Sequence, residues 1–120
     1  MFEVKGRRVR ISRGDTGQVV IAARGVEFGA ADRAVVTVKP AEGVRGALIE
    51  RTLSVSADGT CVWVLTNEDT QDLEPDSYSW DVRFVLGAEL DEDGRVIDGA
   101  AVLTPFAPQP FEVLEVVGDV

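Results

Sequence analysis

Histidine is absent from this sequence, and cysteine occurs once, at Cys61. Without histidine there is no Ser–His or Cys–His pair to generate a nucleophile, and no imidazole to hold a metal. One cysteine makes no internal disulfide and cannot supply the thiolate cluster that zinc or an iron–sulfur centre takes. No apolar stretch approaches the roughly 18 residues of a membrane span, so no membrane is expected as a partner. Met1-Phe2-Glu3-Val4-Lys5 is not followed by the apolar run of a secretory signal. The chain is therefore expected to stay in the cytoplasm where it is made, and a single thiol fits a reducing compartment. Gly14-Asp15-Thr16-Gly17 has neither the lysine nor the following helix of a phosphate-binding loop. Acids are plentiful, but they cluster in turn-like segments rather than in the apolar settings that raise a carboxyl pKa for acid–base work. These absences argue against an enzyme and leave no catalytic, cofactor-binding or metal-ligating residue to nominate.

What is present is acidic and unevenly charged. The net charge is −9 over 120 residues, a sign that disfavours nucleic acid, whose phosphates need a basic face. Residues 1–60 carry ten basic and seven acidic groups, whereas residues 61–120 carry two basic and fourteen acidic ones. Such a division solvates a surface. It also allows the basic edge of one copy to meet the acidic face of another, a kind of contact that sets register more than affinity.

Helical periodicity is nearly missing, and Val dominates the apolar residues, as strands prefer. Strands are predicted at Val9–Ser12, Gln18–Ala23, Ala34–Lys39, Leu48–Val55, Cys61–Thr66, Ser77–Leu86, Ala101–Thr104 and Phe111–Val117. Arg95–Asp98 is a further hairpin arm behind the turn Asp91-Glu92-Asp93-Gly94. Turns are expected at Glu42-Gly43, at Arg45-Gly46 and at Asp58-Gly59, the last a strong hairpin signal. Asn67–Asp72 reads as one helical turn with Asn67 as its N-cap. Pro105, Pro108 and Pro110 interrupt the chain before the last strand. The Asp91–Asp98 stretch is acidic enough to suggest calcium but lacks the spacing of a calcium loop, and reads better as a solvated hairpin tip. The predicted fold is all-β: a single domain over residues 1–120, an antiparallel immunoglobulin-like β-sandwich of Greek-key type with about seven to nine strands, a small barrel being the less favoured alternative.

The strand Ser77–Leu86 sets the expected core. Tyr78, Trp80, Val82, Phe84 and Leu86 share one face, opposite Ser77, Ser79, Asp81, Arg83 and Val85, an alternation that implies one buried and one wet side. Trp63, Leu65, Ile49, Leu53, Val36 and Val38 should pack against that face. Cys61 lies in the apolar run Cys61–Leu65 and reads as a buried small hydrophobe. Leu73-Glu74-Pro75-Asp76-Ser77-Tyr78 has the form of a tyrosine corner: Pro75-Asp76 turns, Leu73 covers the core, and the Tyr78 hydroxyl bonds back to the backbone upstream. Arg13-Gly14-Asp15 spells a tripeptide read by adhesion receptors, but it is expected to be a turn in which Asp15 accepts backbone N–H groups.

These segments, in this order, resemble the N-terminal immunoglobulin-like domain of phage baseplate upper proteins and related tail-fibre adaptors. Gly14-Asp15-Thr16 resembles that family's Gly-Asp-Ser/Thr turn. Val64 through Thr70 resembles its strand and Leu-Thr-x-Glu-Asp-Thr segment. Leu73 through Tyr78 with Trp80-Asp81-Val82 resembles its Leu-x-x-Gly-x-Tyr-x-Tyr-Asp-Ile segment, Asp76 standing where Gly is usual. Phe111-Glu112-Val113 resembles its closing strand. The likeness covers roughly residues 9–87 and 109–117. It implies a virion structural protein of the tail or baseplate, made in the bacterial cytoplasm and assembled into the particle. Its implied partners are other tail proteins and further copies of itself, with no cofactor. Members of this family usually continue into a fibre, so a sandwich alone is expected to serve as an adaptor. Gly14, Asp15, Trp63, Leu73, Pro75, Tyr78 and Trp80 are the structural residues nominated. A module recognising a carbohydrate or cell-surface partner is the alternative.

Overall fold

The computed structural model describes residues 1–41 and 45–116, so the turn expected at Glu42-Gly43 and the last residue of the predicted closing strand, Val117, lie outside the described residues. Among the described residues there are eleven strands and one helical turn. The strands are β1 (Phe2–Lys5), β2 (Arg8–Ser12), β3 (Gly17–Ala22), β4 (Arg33–Lys39), β5 (Ile49–Ser54), β6 (Thr60–Leu65), β7 (Asp76–Leu86), β8 (Glu89–Leu90), β9 (Val96–Asp98), β10 (Ala101–Leu103) and β11 (Gln109–Leu114). The helical turn, α1, is Asn67–Thr70. The number exceeds the predicted seven to nine chiefly because of β1 and β8. Both are short, and neither has a buried side chain to mark it in the sequence.

The architecture is an all-β sandwich. One sheet runs β1-β2-β11-β7-β4-β5, the other is the pair β3-β6, and β8-β9 is a separate small hairpin. The expectation of purely antiparallel pairing fails at one place: β11 lies parallel to β2, with Phe111 opposite Val9 and Val113 opposite Ile11. A parallel pair needs a long connection, and here almost the whole chain separates the two strands. β10 and β11 lie successively along β7, β10 against Phe84–Leu86 and β11 against Asp76–Trp80. They resemble one long strand interrupted by an excursion at residues 104–108. Pro105 and Pro108 fall in that excursion, but Pro110 does not end the strand. It lies inside β11 opposite Ser79, where pairing with β2 has not yet begun, so a missing N–H is tolerated.

The interior follows the period-2 alternation of the strands. Val19 and Ile21 of β3 and Cys61, Trp63 and Leu65 of β6 point inward, while Val20, Val62 and Val64 point out. From the large sheet come Val9, Ile11, Ala34, Val36, Val38, Ile49, Trp80, Val82, Phe84, Phe111 and Val113, all buried. Leu53, Leu73 and Tyr78 pack at the margin. The predicted core is therefore present as a set. Phe28, in the loop before β4, adds an unpredicted member, its ring 5.4 Å from Phe84. The two sheets meet through aromatic rings: Trp63 lies 5.4 Å from Trp80 and 5.7 Å from Phe111, centroid to centroid. The outer face of β7 is not wholly wet. Gly87 through Ala100 fold back over it, Ala100 N–H donating to the Leu86 carbonyl at 2.8 Å, and Val85 is buried beneath.

At the turn between β5 and β6, Gly59 has φ of +87°, and a Cβ there would stand 2.1 Å from the Ala23 carbonyl oxygen. Only glycine satisfies both demands. Trp80→Ala is expected to lose about 3–5 kcal/mol of stability, read as a lowered urea midpoint. An unchanged midpoint would mean that the strand's inward phase is wrong.

Candidate interaction surfaces

Of the nominated structural residues, Trp63 and Trp80 lie in the core between the sheets, whereas Gly14 and Tyr78 are held by hydrogen bonds at its margin. The Tyr78 hydroxyl donates to the Glu74 carbonyl at 2.5 Å, closing the tyrosine corner over Pro75 and Leu73. Partial burial and the neighbouring charges of Asp76 and Glu74 push the phenol's pKa up, so it remains a donor. Asp76 needs no left-handed backbone, since every positive φ among the described residues belongs to glycine. Gly14 does, at +85°. Its N–H donates to Thr70 Oγ1 at 2.9 Å, and its carbonyl accepts from Asn67 Nδ2 at 2.7 Å. The Gly-Asp-Thr turn is thus docked onto α1 and, through it, onto the corner.

Two expectations here need correction. Thr66, not Asn67, is the N-cap of α1. The Asp69 carboxylate takes the Thr66 N–H at 2.8 Å and is also paired with Arg51, which leaves the Asn67 side chain free to reach across to Gly14. Asp15 accepts no backbone N–H among the described residues. Its carboxylate pairs instead with the N-terminal ammonium of Met1. Arg13, the first residue of the adhesion-like tripeptide, is bridged to Glu115 at 3.1 Å.

Several carboxylates that sequence reading treated as solvated charge are turn-makers. Asp32 accepts Gly29 N–H at 2.7 Å and Gly87 N–H at 2.8 Å, tying the loop before β4 to the end of β7. These two backbone donors hold its pKa below the ordinary carboxylate range. Asp91 accepts from the N–H groups of Asp93 and Arg95, both at 2.9 Å, and shapes the β8–β9 hairpin. No three acids converge as a metal site among the described residues. Glu112 of β11 receives Arg8 Nε at 2.8 Å and Arg10 Nε at 3.2 Å; the Arg8 hydrogen bond above all lowers its pKa. The basic N-terminal segment therefore spends much of its charge within the chain. An acid followed shortly by glycine was the signal available for Asp91, whereas nothing local pointed to Asp32 or Asp69.

Three of the open features bear on an interaction surface. A groove of about 410 Å³ crosses the outer face of the large sheet, floored by Val35, Thr37, Asp81 and Arg83 and walled by Val96 and Val102. A second cleft, about 530 Å³, opens where β3 ends, between Arg7, Arg24 and Val26 on one side and Leu103 and Pro105 on the other, with Phe84 at its floor. Beside it, Trp80 Nε1 donates to the Arg7 carbonyl at 2.8 Å, and the Arg7 guanidinium lies 4.5 Å from the centre of the Phe106 ring. The third feature is the outer face of β3–β6, where Val20, Val62 and Val64 are exposed by 66%, 42% and 48%. The only thiol is elsewhere: Cys61 is buried, and burial pushes its pKa up to about 11. Among the described residues no helix is long and apolar enough to cross a membrane. Comparison with protein-family models, with curated proteins and with solved structures finds no match to this chain.

Tyr78→Phe removes the corner hydrogen bond and is expected to cost about 1 kcal/mol in stability, measured by denaturant unfolding; no change would remove the corner as a structural support. Cys61 should resist thiol reagents at pH 8 in the folded protein and react fully in urea, because the neutral thiol is a poor nucleophile. Rapid labelling of the native state would contradict its placement.

Proposed function

We propose that this chain is a non-catalytic structural protein of a phage or prophage tail, a baseplate component or adaptor that works through protein–protein assembly. The observation that carries the reading is the set of bonds just described. Two segments that resemble landmarks of the baseplate upper protein domain, far apart in sequence, are bonded to each other, Gly14 to Asn67 and Thr70, and a third, Leu73 through Tyr78, closes on itself through Tyr78 and Glu74. The strand arrangement supports an immunoglobulin-like reading of the sandwich, with the closing strand β11 between β2 and β7 in one sheet and β3 paired with β6 in the other. Nothing in the chemistry competes with it. Asp32, Asp69, Asp91 and Glu112 are engaged in turns and pairs, and the thiol is buried.

The alternative, a carbohydrate-recognising module, would call for an exposed aromatic platform. Trp63 is 0% and Trp80 3% exposed, so the large rings serve the core and the assembly reading is favoured. Mass spectrometry of particles released by prophage induction of the source bacterium tests it. The chain should co-sediment with tails. Its recovery only outside the particles, or binding on a glycan array, would overturn the proposal.

A further inference from the structure

Most arginines of this acidic chain have a carboxylate at hand: Arg8, Arg10, Arg13, Arg51 and Arg95 are each paired with one. Among the described residues Arg7 and Arg24 pair with none. Both line the cleft of about 530 Å³ where β3 ends. A smaller cleft, about 130 Å³, adjoins it and shares Arg7, Ala22 and Pro105. The two make one trough that follows the chain from Val19 to Arg24, roughly 15 Å at the rise of a strand. The turn before β2 and the excursion around Pro105 and Phe106 wall its other side.

The lining of the trough is mostly apolar, and the core rings Trp80 and Phe84 belong to it. No Asp or Glu lines it among the described residues, in a chain with 21 acids. Arg7 is held in place from two directions. Its carbonyl accepts Trp80 Nε1 at 2.8 Å, and its guanidinium lies 4.5 Å from the centre of the Phe106 ring. Stacking engages the face of a guanidinium and leaves its N–H fork at the edge unused. A fork fixed in this way loses little freedom when it takes a carboxylate through two parallel hydrogen bonds.

We propose that this trough receives an extended segment of a partner protein in which a carboxylate stands beside apolar side chains. Arg7 takes the carboxylate through its fork, and Arg24 adds a second positive charge to the same cleft. The apolar side chains of the segment cover Phe84, Leu103 and Pro105. Charge selects the class of occupant. A neutral segment would cover two cations without pairing them, and a basic one would repel them; an acidic one offsets both. Length selects an extended chain, since the trough runs on from one cleft to the next instead of closing around a compact ligand. Arginine is also among the residues on which the energy of protein contacts concentrates. The inference rests on the assembly reading and names the chemistry of its partner.

Selection of short random peptides displayed against the full chain tests it. The enriched peptides should place Asp or Glu next to Leu, Ile, Val or Phe. One of them, synthesised and titrated into isotope-labelled protein, should shift the Arg7 Nε–H resonance and the backbone amides of Ala22, Ala23 and Leu103. Arg7→Gln should weaken its binding about tenfold or more, and exchanging the peptide's acid for its amide should do the same. Combining the two changes should add little further loss, because both remove one contact. Arg83→Gln, at an arginine of the outer-face groove, should leave the affinity unchanged. The amide spectrum of each variant reports that it is folded. No enriched peptide, a consensus without an acid, shifts confined to other amides, or affinity indifferent to Arg7→Gln would each overturn the site. Decanoate shifting these amides where peptides do not would assign the trough to a small amphiphile and overturn it too. A chain found in tail particles but binding no such peptide would remove the trough and leave the assembly reading standing, whereas peptide binding by a chain absent from particles would do the reverse.

Discussion

The stacking of Trp63 on Trp80 and Phe111 is the contact on which the rest of the molecule depends. Trp63 comes from the two-stranded sheet, and its partners come from two neighbouring strands of the larger one. A pair of strands alone is marginal in water, so β3 and β6 persist because their inner face is buried against these rings. Aromatic pairs of this kind contribute about 0.5–1.5 kcal/mol beyond the area they bury. The arrangement has a cost. Trp63 Nε1 has no hydrogen-bond partner among the described residues, and an orphaned buried donor forfeits about 1–3 kcal/mol. Trp80 avoids that cost by reaching the Arg7 carbonyl, and in doing so ties the β1–β2 turn to the core.

Around this centre, the acidic residues do more than solvate. Asp32 joins two loops at one end of the sandwich, Asp69 joins α1 to β5 through Arg51, and Asp91 builds the small hairpin. A carboxylate accepts several N–H bonds at once and makes them strong, so short side chains of this type stand in for missing secondary structure. Glu112 does related work on the surface by neutralising Arg8 and Arg10. Exposed pairs of this sort add little stability, but they offset part of the contrast in charge that the two halves of the sequence suggest.

The same economy leaves β3–β6 without a cover. The larger sheet closes over one face of the core and carries a hairpin on its own outer face, whereas the smaller sheet presents Val20, Val62 and Val64 on its outer face.

The core was legible in the sequence because the strand period is 2 and a buried face writes itself as alternation. Tyr78 through Leu86 is the plainest case, and the tyrosine corner, the Asp58-Gly59 hairpin and the buried Cys61 are local features that need no distant partner. The failures are long-range or side-chain specific. The parallel pairing of β2 with β11 joins residues about a hundred positions apart, and no periodicity encodes direction. Asn67 and Thr66 are both cap residues by composition; Thr66 takes the role with Asp69, and the Asn67 side chain bonds instead to Gly14 across the fold. Pro110 ends a strand by the local rule and is admitted to β11 because only one neighbour needs its backbone there. By itself, then, the sequence determined which residues are buried and where most of the chain turns, since both follow from patterns a few residues long. Only the tertiary structure decided which strands pair and which carboxylates bind backbone, because each depends on what the folded chain brings alongside.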